Sequence, residues 1–407
     1  MIHFSVRNIA FAALAASAVA LGSCSESESA LPAAGDITMR LSVDTGTAPG
    51  VSRAGEPDYF EGSSGDFEKV RTLRVIILRG VTDGNHKGTV EANRLVATNE
   101  QGYPTGNLEF KVRDNEYKRV YLIANEASIV SPLGKDTPTT EFLDSFEEGK
   151  ELDTNVFADW TASAPGSNPN ISGNLFSDTP GVVGLPMTEW FDVPVLRTSP
   201  GRIDGPAAKD GVSISVHLFM TRAAAKASFN VKVSDDYRAK GSNITAIRLN
   251  GVNFNEYVFP RDAVYQPQKL VTPEPGENGI VNRYITSFES YPRSVRGGSN
   301  ITLQKLKIPV KAGTDFTTAA VYFPESKFED ADGRFTVEVL LDGDAGNTQW
   351  LKAQPLVDNI LNISGYEAVA RNTHLRIEIG FGDNGSLTWQ AIVAPYNSVE
   401  LKPGFGI

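Results

Sequence analysis

Few residues of this sequence are arranged for catalysis. The four histidines, His3, His86, His217 and His374, stand far apart and never show the His-Glu-x-x-His spacing of a zinc site. The sequence has neither the Gly-x-Ser-x-Gly motif of a serine nucleophile nor a Walker phosphate-binding loop. We therefore predict that the protein is not an enzyme and that it uses no cofactor and no metal in catalysis.

One segment matches a nucleotide-binding sequence motif but lacks the secondary structure that the motif requires. Residues 380–385 read Gly-x-Gly-x-x-Gly, a motif that binds a dinucleotide where a strand precedes it and a helix follows it. Here residues 387–393 follow, and they have the pattern of a second strand. The sequence therefore predicts a hairpin turn at residues 383–385.

A second segment has a faint similarity to a calcium-binding loop. Residues 329–333 read Glu-Asp-Ala-Asp-Gly, but a full loop needs oxygen ligands at alternating positions and a later glutamate. Phe328 and Arg334 occupy positions where such ligands would stand. A hairpin turn is the prediction here, and calcium binding near Asp330 and Asp332 stays open.

Cys24 is the only cysteine and the one residue with a predicted covalent modification. It follows an apolar run at residues 9–21, which is too short to span a bilayer stably at about 20 residues. Residues 21–24 match the lipobox of bacterial lipoproteins, in which the signal is cut before the cysteine and the thiol is lipidated. The Ser/Glu run at residues 25–29 is either a solvated tether or a surface-export signal. We predict a signal peptide at residues 1–23 and a lipid anchor on Cys24, palmitate included, that attaches the chain to a membrane.

Composition and charge exclude several classes of protein. The chain has 407 residues with 41% hydrophobic and 21% charged residues, so it is able to bury a core and is not disordered. The net charge of -11, with no basic stripe, makes nucleic acid an unsuitable partner. A single cysteine excludes an internal disulfide and a cysteine zinc site.

Apolar and polar residues alternate along most of the chain, which is typical of half-buried strands. Only residues 140–150 have a helical pattern, and a turn-rich stretch at residues 198–211 is the best domain boundary. We predict an all-β fold with β-sandwich domains at residues 54–210 and 211–407. The predicted strands are residues 37–43, 70–78, 118–124, 212–219, 228–233, 244–249, 301–310, 318–323, 335–341, 375–381 and 387–393.

The segment between the lipid anchor and the first domain has an unusual organisation. A clean strand at residues 37–43 is followed by a Gly/Pro-containing linker at residues 44–55, in which Arg53 is the single basic residue. Such linkers are where proteases cut. If the strand is then removed, it leaves a groove of unpaired backbone groups that is able to accept a strand from another molecule. The alternative is that residues 37–43 remain an ordinary first strand.

Several motifs, in order along the chain, resemble the fimbrillins of Bacteroidales, which are the subunits of type V pili. Residues 51–55 (Val-Ser-Arg-Ala-Gly) are similar to the maturation site of major fimbrial subunits. Leu375 departs from the aromatic residue usual at its position. The other segments that resemble the family are residues 70–80, 119–125, 185–188, 221–227, 371–375 and 387–393.

This resemblance implies two transthyretin-like antiparallel β-sandwich domains behind a lipoprotein signal and a propeptide, residues 24–53. It implies cleavage between Arg53 and Ala54 by an Arg-specific surface protease, followed by polymerisation through donor-strand exchange. The displaced strand would present Ile37, Met39, Leu41 and Val43. The donor would lie within residues 390–407 and present Ile392, Val393, Val399 and Leu401.

The implied partners are identical or related fimbrial subunits, the protease, and the outer membrane through the lipid of the precursor. The implied location is the cell outer membrane for the precursor and a cell-surface fimbrium, supporting adhesion, for the mature subunit. Three alternatives stay open: a fimbrial tip subunit, an anchor subunit, and a surface lipoprotein that binds glycans for uptake. The candidates for stacking on a sugar are the four tryptophans, Trp160, Trp190, Trp350 and Trp389. A ligand on host or bacterial surfaces is not identified by the sequence.

Overall fold

The structure of the chain is a computed structural model. The structure describes residues 35–45, 69–82, 84–98, 108–129, 138–158, 160–163, 184–195, 197–199, 202–203, 213–238, 241–252, 255–259, 299–318, 320–324, 326–327, 335–342, 349–360, 368–369, 371, 374–394 and 399–401. Cys24, Arg53, Ala54 and the acidic residues Asp330 and Asp332 lie outside these ranges.

The described chain is almost entirely strand, which confirms the predicted all-β class. The first eleven strands are β1 (Asp36–Thr45), β2 (Thr72–Arg79), β3 (Lys87–Ala97), β4 (Glu109–Arg113), β5 (Glu116–Ala124), β6 (Glu151–Asp153), β7 (Thr161–Ser163), β8 (Met187–Val195), β9 (Arg197–Ser199), β10 (Arg202–Ile203) and β11 (Ser213–Arg222). Two short helices, α1 (Thr139–Asp144) and α2 (Asn155–Ala158), lie between β5 and β7. None of the described helices is long and apolar enough to cross a membrane.

Fifteen further strands follow. They are β12 (Ala225–Val233), β13 (Ser242–Val252), β14 (Asn255–Tyr257), β15 (Ser299–Leu303), β16 (Ile308–Val310), β17 (Asp315–Thr317), β18 (Val321–Phe323), β19 (Ser326–Lys327), β20 (Thr336–Leu341), β21 (Gln349–Lys352), β22 (Gln354–Ile360), β23 (Ala368–Val369), β24 (His374–Phe381), β25 (Leu387–Ala394) and β26 (Val399–Leu401).

The first unit is one nine-stranded sheet in the order β26-β1-β11-β8-β5-β2-β3-β6, with β4 paired to β1. Strands β11 and β8 join its two halves through only two residue pairs, Thr221 with Thr188 and Arg222 with Met187. Apolar side chains from both halves meet in a single core. The sheet therefore doubles over on itself as a sandwich, because each half buries one face against the other.

The second unit is a sandwich of two separate sheets. One has six strands in the order β17-β12-β24-β25-β22 with β18 paired to β12, and the other has five in the order β15-β13-β20-β21 with β16 paired to β13. Both sheets contribute to one core that includes Phe229, Ile247, Val339 and Ile377. Strands β24 and β25 form the predicted hairpin, whose turn places Gly385 at φ 77°. A second strand, rather than a helix, thus follows residues 380–385, and the nucleotide-binding pattern has no structural basis.

Two sequence predictions change in detail. The predicted helix at 140–150 is shorter in the structure, where α1 ends at Asp144. Later in the predicted span, Gly149 (φ 81°) turns the chain, and its N–H donates to the carbonyl of Val90 on β3 at 2.8 Å. The predicted strand at 301–310 is two strands, β15 and β16, because Lys305 between them has φ 58°. A left-handed residue interrupts the extended backbone that a continuous strand needs.

The boundary between the units lies after β11. Residues 213–222 were predicted to lie in the C-terminal domain, but residues 213–220 pair in parallel with β1, so β11 belongs to the first sheet. The second core begins with Ala225 on β12. The chain therefore passes from one core to the other at Ala223 and Ala224, and not at residue 210.

A buried guanidinium ties β2 to the helical segment of the first unit. Arg74, 1% exposed, donates from Nε and Nη2 to the two carboxylate oxygens of Glu126 at 2.6 and 2.8 Å. It also donates to Asp144 at 2.7 Å and to Asn93 at 2.8 Å. Such a pair matters most when it is broken, because one charge is then left buried without its partner.

We expect Arg74→Ala to lower the free energy of unfolding by about 3–5 kcal/mol, since Glu126 is itself buried. Urea titration followed by far-UV circular dichroism measures this. The control is Lys87→Ala, which removes an ion pair whose side chains are 58% and 66% exposed and should leave the midpoint unchanged. Equal shifts in the two variants would contradict the assignment.

A second buried charge cluster lies where the two units meet. Glu189 on β8 is fully buried near Arg371, whose Nη2 donates to the carbonyl of Tyr257 at 2.7 Å. Thr221 Oγ1 lies 3.4 Å from Glu189 Oε2. Burial raises the pKa of Glu189 to about 8, although the charge of Arg371 opposes the shift. The carboxyl group therefore keeps its proton in the folded protein at pH values where the unfolded chain has lost it.

Stability should consequently fall as the pH rises from about 5 to about 8. Between the ordinary pKa of 4.5 and the raised value, only the folded state holds the proton, so the slope is negative and at most about 1.4 kcal/mol per pH unit. Urea titrations at pH 5, 6, 7 and 8 measure the slope. Glu189→Gln should flatten it, and an unchanged slope in that variant would assign the effect to other groups.

Candidate functional site

Strand β1 lies inside the first sheet and is hydrogen-bonded along both edges. On one edge it runs parallel to β11, from Thr38 opposite Ser213 to Thr45 opposite Met220. On the other edge β4 pairs with Asp36–Arg40, and β26 pairs with Val43–Thr45. Between the segments paired with β4 and β26, the N–H of Leu41 donates to the carbonyl of Leu108 at 2.9 Å. The first strand in the described part of the chain is therefore the central strand of its half of the sheet.

The alternation predicted from sequence places the four apolar side chains of β1 in the core. Ile37, Met39, Leu41 and Val43 are each 0–2% exposed, whereas the intervening side chains are half-buried. At about 1.5–3 kcal/mol for each fully buried apolar side chain, these four contribute about 6–12 kcal/mol as an upper figure. A large share of the stability of the first unit thus depends on a strand at the extreme N-terminal end of the described chain.

The core-facing side of the β1 position is lined by apolar side chains. Phe110 and Val112 of β4, and Leu218 and Met220 of β11, belong to the same core as β1 and are each at most 4% exposed. Backbone donors and acceptors of β4 and β11 flank this lining. Without β1, an apolar groove would stand open between two unpaired strand edges, and such edges readily pair with another strand.

The start of β1 is clamped at its N-terminal end. Gly35 N–H donates to the carboxylate of Asp114 at 2.7 Å, and the N–H of Asp114 donates to the carbonyl of Gly35 at 2.9 Å. Arg40 forms an ion pair with Glu109 at 3.0 Å, but both side chains are more than a third exposed, so this pair adds little. Apolar burial and the backbone ladders hold β1 in place.

The predicted donor residues fall into two groups. Ile392 and Val393 lie in β25, opposite Arg376 and Leu375 of β24, within the second unit. Val399 and Leu401 lie in β26, opposite Thr45 and Val43 of β1. The structure thus separates Ile392 and Val393 from the segment that contacts the site. Residues 399–401 already pair with the predicted displaced strand in the same chain.

The tryptophans and His374, which the sequence offered as candidates for binding, are engaged in the fold where the structure describes them. Trp160 is 0% exposed in a core shared by both units, and Trp389 is 3% exposed, so neither is available to a glycan. His374 lies 3.0 Å from the hydroxyl of Ser228. Among the described residues, no group of three or more histidine, cysteine, aspartate or glutamate side chains is placed to hold a metal ion.

Comparison with known proteins gives no match by sequence but clear matches by structure. No protein family and no curated protein matches the sequence. The tip fimbrial protein Mfa3 of Porphyromonas gingivalis, solved with a C-terminal truncation, matches with a TM-score of 0.49 and 13% identity over 89% of this chain and 100% of that one. This chain is similar to fimbrial proteins.

Two further solved structures match over nearly their whole length. The fimbrilin FimA of Porphyromonas gingivalis has a TM-score of 0.41 and 15% identity, covering 88% of this chain and 98% of that one. A fimbrial assembly protein of Parabacteroides distasonis has a TM-score of 0.41 and 10% identity, covering 89% and 100%. At these identities and TM-scores, the function of this chain has to rest on its own residues.

Two features of the first unit were not predicted from the sequence: strand β4, which flanks β1, and the buried acid Glu189 on β8. Strand β4 was not predicted, although Leu108, Phe110 and Val112 alternate with polar residues and are all buried. Glu189 stands at an inward position of β8, between Met187 and Phe191. A lone acid within an alternating apolar row is the signal that would have marked it as buried.

Proposed function

We propose that the chain is the structural subunit of a cell-surface fimbrium of the type V class and supports adhesion. In this proposal it is exported as a lipoprotein anchored through Cys24, cut between Arg53 and Ala54, and polymerised by donor-strand exchange. The observation that carries the proposal is β1: a central strand, paired on both edges, with four buried apolar side chains. The motifs that resemble the fimbrillins support the same assignment.

The position of the cleavage site fits the release of β1. Arg53 follows the last residue of β1, Thr45, and precedes the next described residue, Lys69, so cleavage there cuts the covalent connection between β1 and the body of the subunit. After the cut, only non-covalent contacts retain the strand. A competing strand that fills the same groove is then able to replace it, because it restores both ladders and the apolar burial.

The C-terminal segment is a suitable competitor. Val399–Leu401 pairs with β1 in antiparallel register within the chain, so this segment already forms a strand beside the site. Since Ile392 and Val393 are committed to the hairpin with β24, we place the donor at residues 399–407 rather than throughout 390–407. Departure of β1 would remove the partner of β26 and open the groove of the same subunit in one step.

Treatment of the purified precursor with an arginine-specific protease tests the proposal. We expect SDS-resistant ladders from the unaltered chain and none from Arg53→Ala. Arg53→Lys is the matched control: it keeps the charge but is not a substrate for the protease, so it should also fail. Replacing residues 51–55 with the recognition sequence of an unrelated protease should restore ladders when that second protease is added. Ladders from Arg53→Ala equal to those of the unaltered chain would refute the maturation step.

A further inference from the structure

A cavity of about 660 Å³ lies on the outer face of the five-stranded sheet of the second unit. An apolar row across three neighbouring strands forms its floor and ends at one wall: Ala246 on β13 lies opposite Leu340 on β20, and Leu340 lies opposite Trp350 on β21. None of these three side chains belongs to the core between the sheets. The volume falls in the range of about 300–1,000 Å³ that is typical of small-molecule sites.

The wall of the cavity contains an indole that is held in place. The guanidinium of Arg248 lies 4.1 Å from the ring centre of Trp350, and its Nε donates to Glu338 at 2.8 Å. Arg248 does not line the cavity, so the ring meets the cavity on another side. A half-buried tryptophan that is fixed by a cation over its ring and lines an open cavity is a pre-organised stacking surface.

The opposite wall is a loop that carries two positive charges. Lys305 and Lys307 are exposed and line the cavity, and the N–H of Leu306 between them donates to the carbonyl of Thr245 at 2.9 Å, which anchors the loop on β13. Lys305 adopts φ 58°, a left-handed conformation that is uncommon outside glycine, asparagine and aspartate. The backbone thus holds these lysines at the rim.

The remaining rim is polar, and its one carboxylate, that of Asp342, already accepts hydrogen bonds within the protein. Asp342 accepts hydrogen bonds from the backbone N–H of Asn243 and, at 2.7 Å, from its side-chain amide. These hydrogen bonds from Asn243 lower the pKa of Asp342. Thr302 and Gln304 complete the polar lining. The rim therefore offers hydroxyl, amide and ammonium groups around an apolar floor with one aromatic wall.

We propose that this cavity binds a saccharide that carries a carboxylate. A pyranose ring has an apolar C–H face and a rim of hydroxyl groups, which matches Trp350 and Leu340 on one side and the polar rim on the other. Lys305 and Lys307 supply charge for the carboxylate. The cavity includes no residue of β1 or β26, so this site is independent of strand exchange.

A glycan array tests the site: the full-length precursor is applied to sialylated, uronate-containing and neutral saccharides. Titration with 3′-sialyllactose and with lactose then compares a matched pair that differs in the acidic sugar. We expect binding to acidic saccharides and at least about tenfold weaker binding after Trp350→Ala or Lys305→Glu. Lys305 lies in an exposed loop, so we expect Lys305→Glu to leave the sheet intact. This variant therefore tests the site even if Trp350→Ala unfolds the protein.

Trp190→Ala is the control, because Trp190 is also half-buried beneath a guanidinium, that of Arg119 at 4.5 Å, but lies in the first unit away from the cavity. It should bind as the unaltered chain does. Absence of binding to every acidic saccharide, equal binding of sialyllactose and lactose, or unchanged binding in the folded Trp350 and Lys305 variants would each overturn the proposal.

Discussion

Leu41→Asp should destabilise the precursor by more than about 4 kcal/mol. Leu41 is 2% exposed in the middle of β1 and is surrounded by the apolar core, so the substitution removes a buried aliphatic side chain and puts a carboxylate in its place. Urea unfolding of the purified precursor measures the loss. The matched control is Thr38→Asp on the solvent side of the same strand, opposite Lys111, which should change stability by less than about 0.5 kcal/mol.

The same substitution should act in the opposite direction on assembly. If β1 is the strand that is displaced, weakening it lowers the barrier to its departure, so Leu41→Asp precursor that has been cut after Arg53 should form ladders faster than the unaltered chain. The mature polymer would no longer contain residue 41 and should be as resistant to denaturant as the unaltered polymer. Polymer that is weakened by the substitution would mean that β1 stays in the assembled subunit.

Deleting residues 399–407 should abolish self-assembly while leaving the precursor folded. The deletion removes β26, which in the described chain pairs with only three residues of β1, at one edge. The truncated subunit keeps its acceptor groove but lacks its donor. We expect circular dichroism of the precursor to be unchanged and no ladders to form after cleavage.

Mixing the truncated subunit with the intact subunit gives a sharper test of the donor. A cleaved, truncated subunit should accept a donor strand from an intact subunit and pass none on, so it should act as a chain terminator. Increasing its share of the mixture should shorten the ladders progressively. If the truncated protein instead polymerises alone, the donor is elsewhere, and residues 399–407 have only the edge-pairing role seen within the chain.

Local features of the fold could be predicted from sequence, because they depend on neighbouring residues. The alternation of Ile37, Met39, Leu41 and Val43 predicted both the strand and its buried face. The turn at residues 383–385 followed from Asn-Gly between two strand patterns, and Gly385 takes the positive φ that such a turn requires. These signals lie within a few residues and need no knowledge of the rest of the chain.

The partners of β1 could not be predicted in this way. Its neighbours β11, β4 and β26 come from three separate parts of the chain, and alternation within a strand does not state which strand it pairs with. For the same reason β11 was assigned to the wrong side of the domain boundary: its pattern shows a strand, but only the parallel register with β1 shows its sheet. The cavity beside Trp350 also could not be predicted from the sequence, since it depends on a row of side chains across three strands and on the turn at Lys305.

The central claim is that β1 must leave its position before subunits join, and a reversible lock on β1 tests it most directly. Arg40 and Glu109 are directly opposite each other on β1 and β4, half-exposed and in contact at 3.0 Å. In a chain with Cys24→Ser, the pair Arg40→Cys and Glu109→Cys would be the only cysteines and could form one disulfide across the two strands. After cleavage at Arg53, we expect no ladders from the oxidised protein and full ladders from the same sample once it is reduced. Ladders that form equally in the oxidised sample would contradict strand exchange at this site.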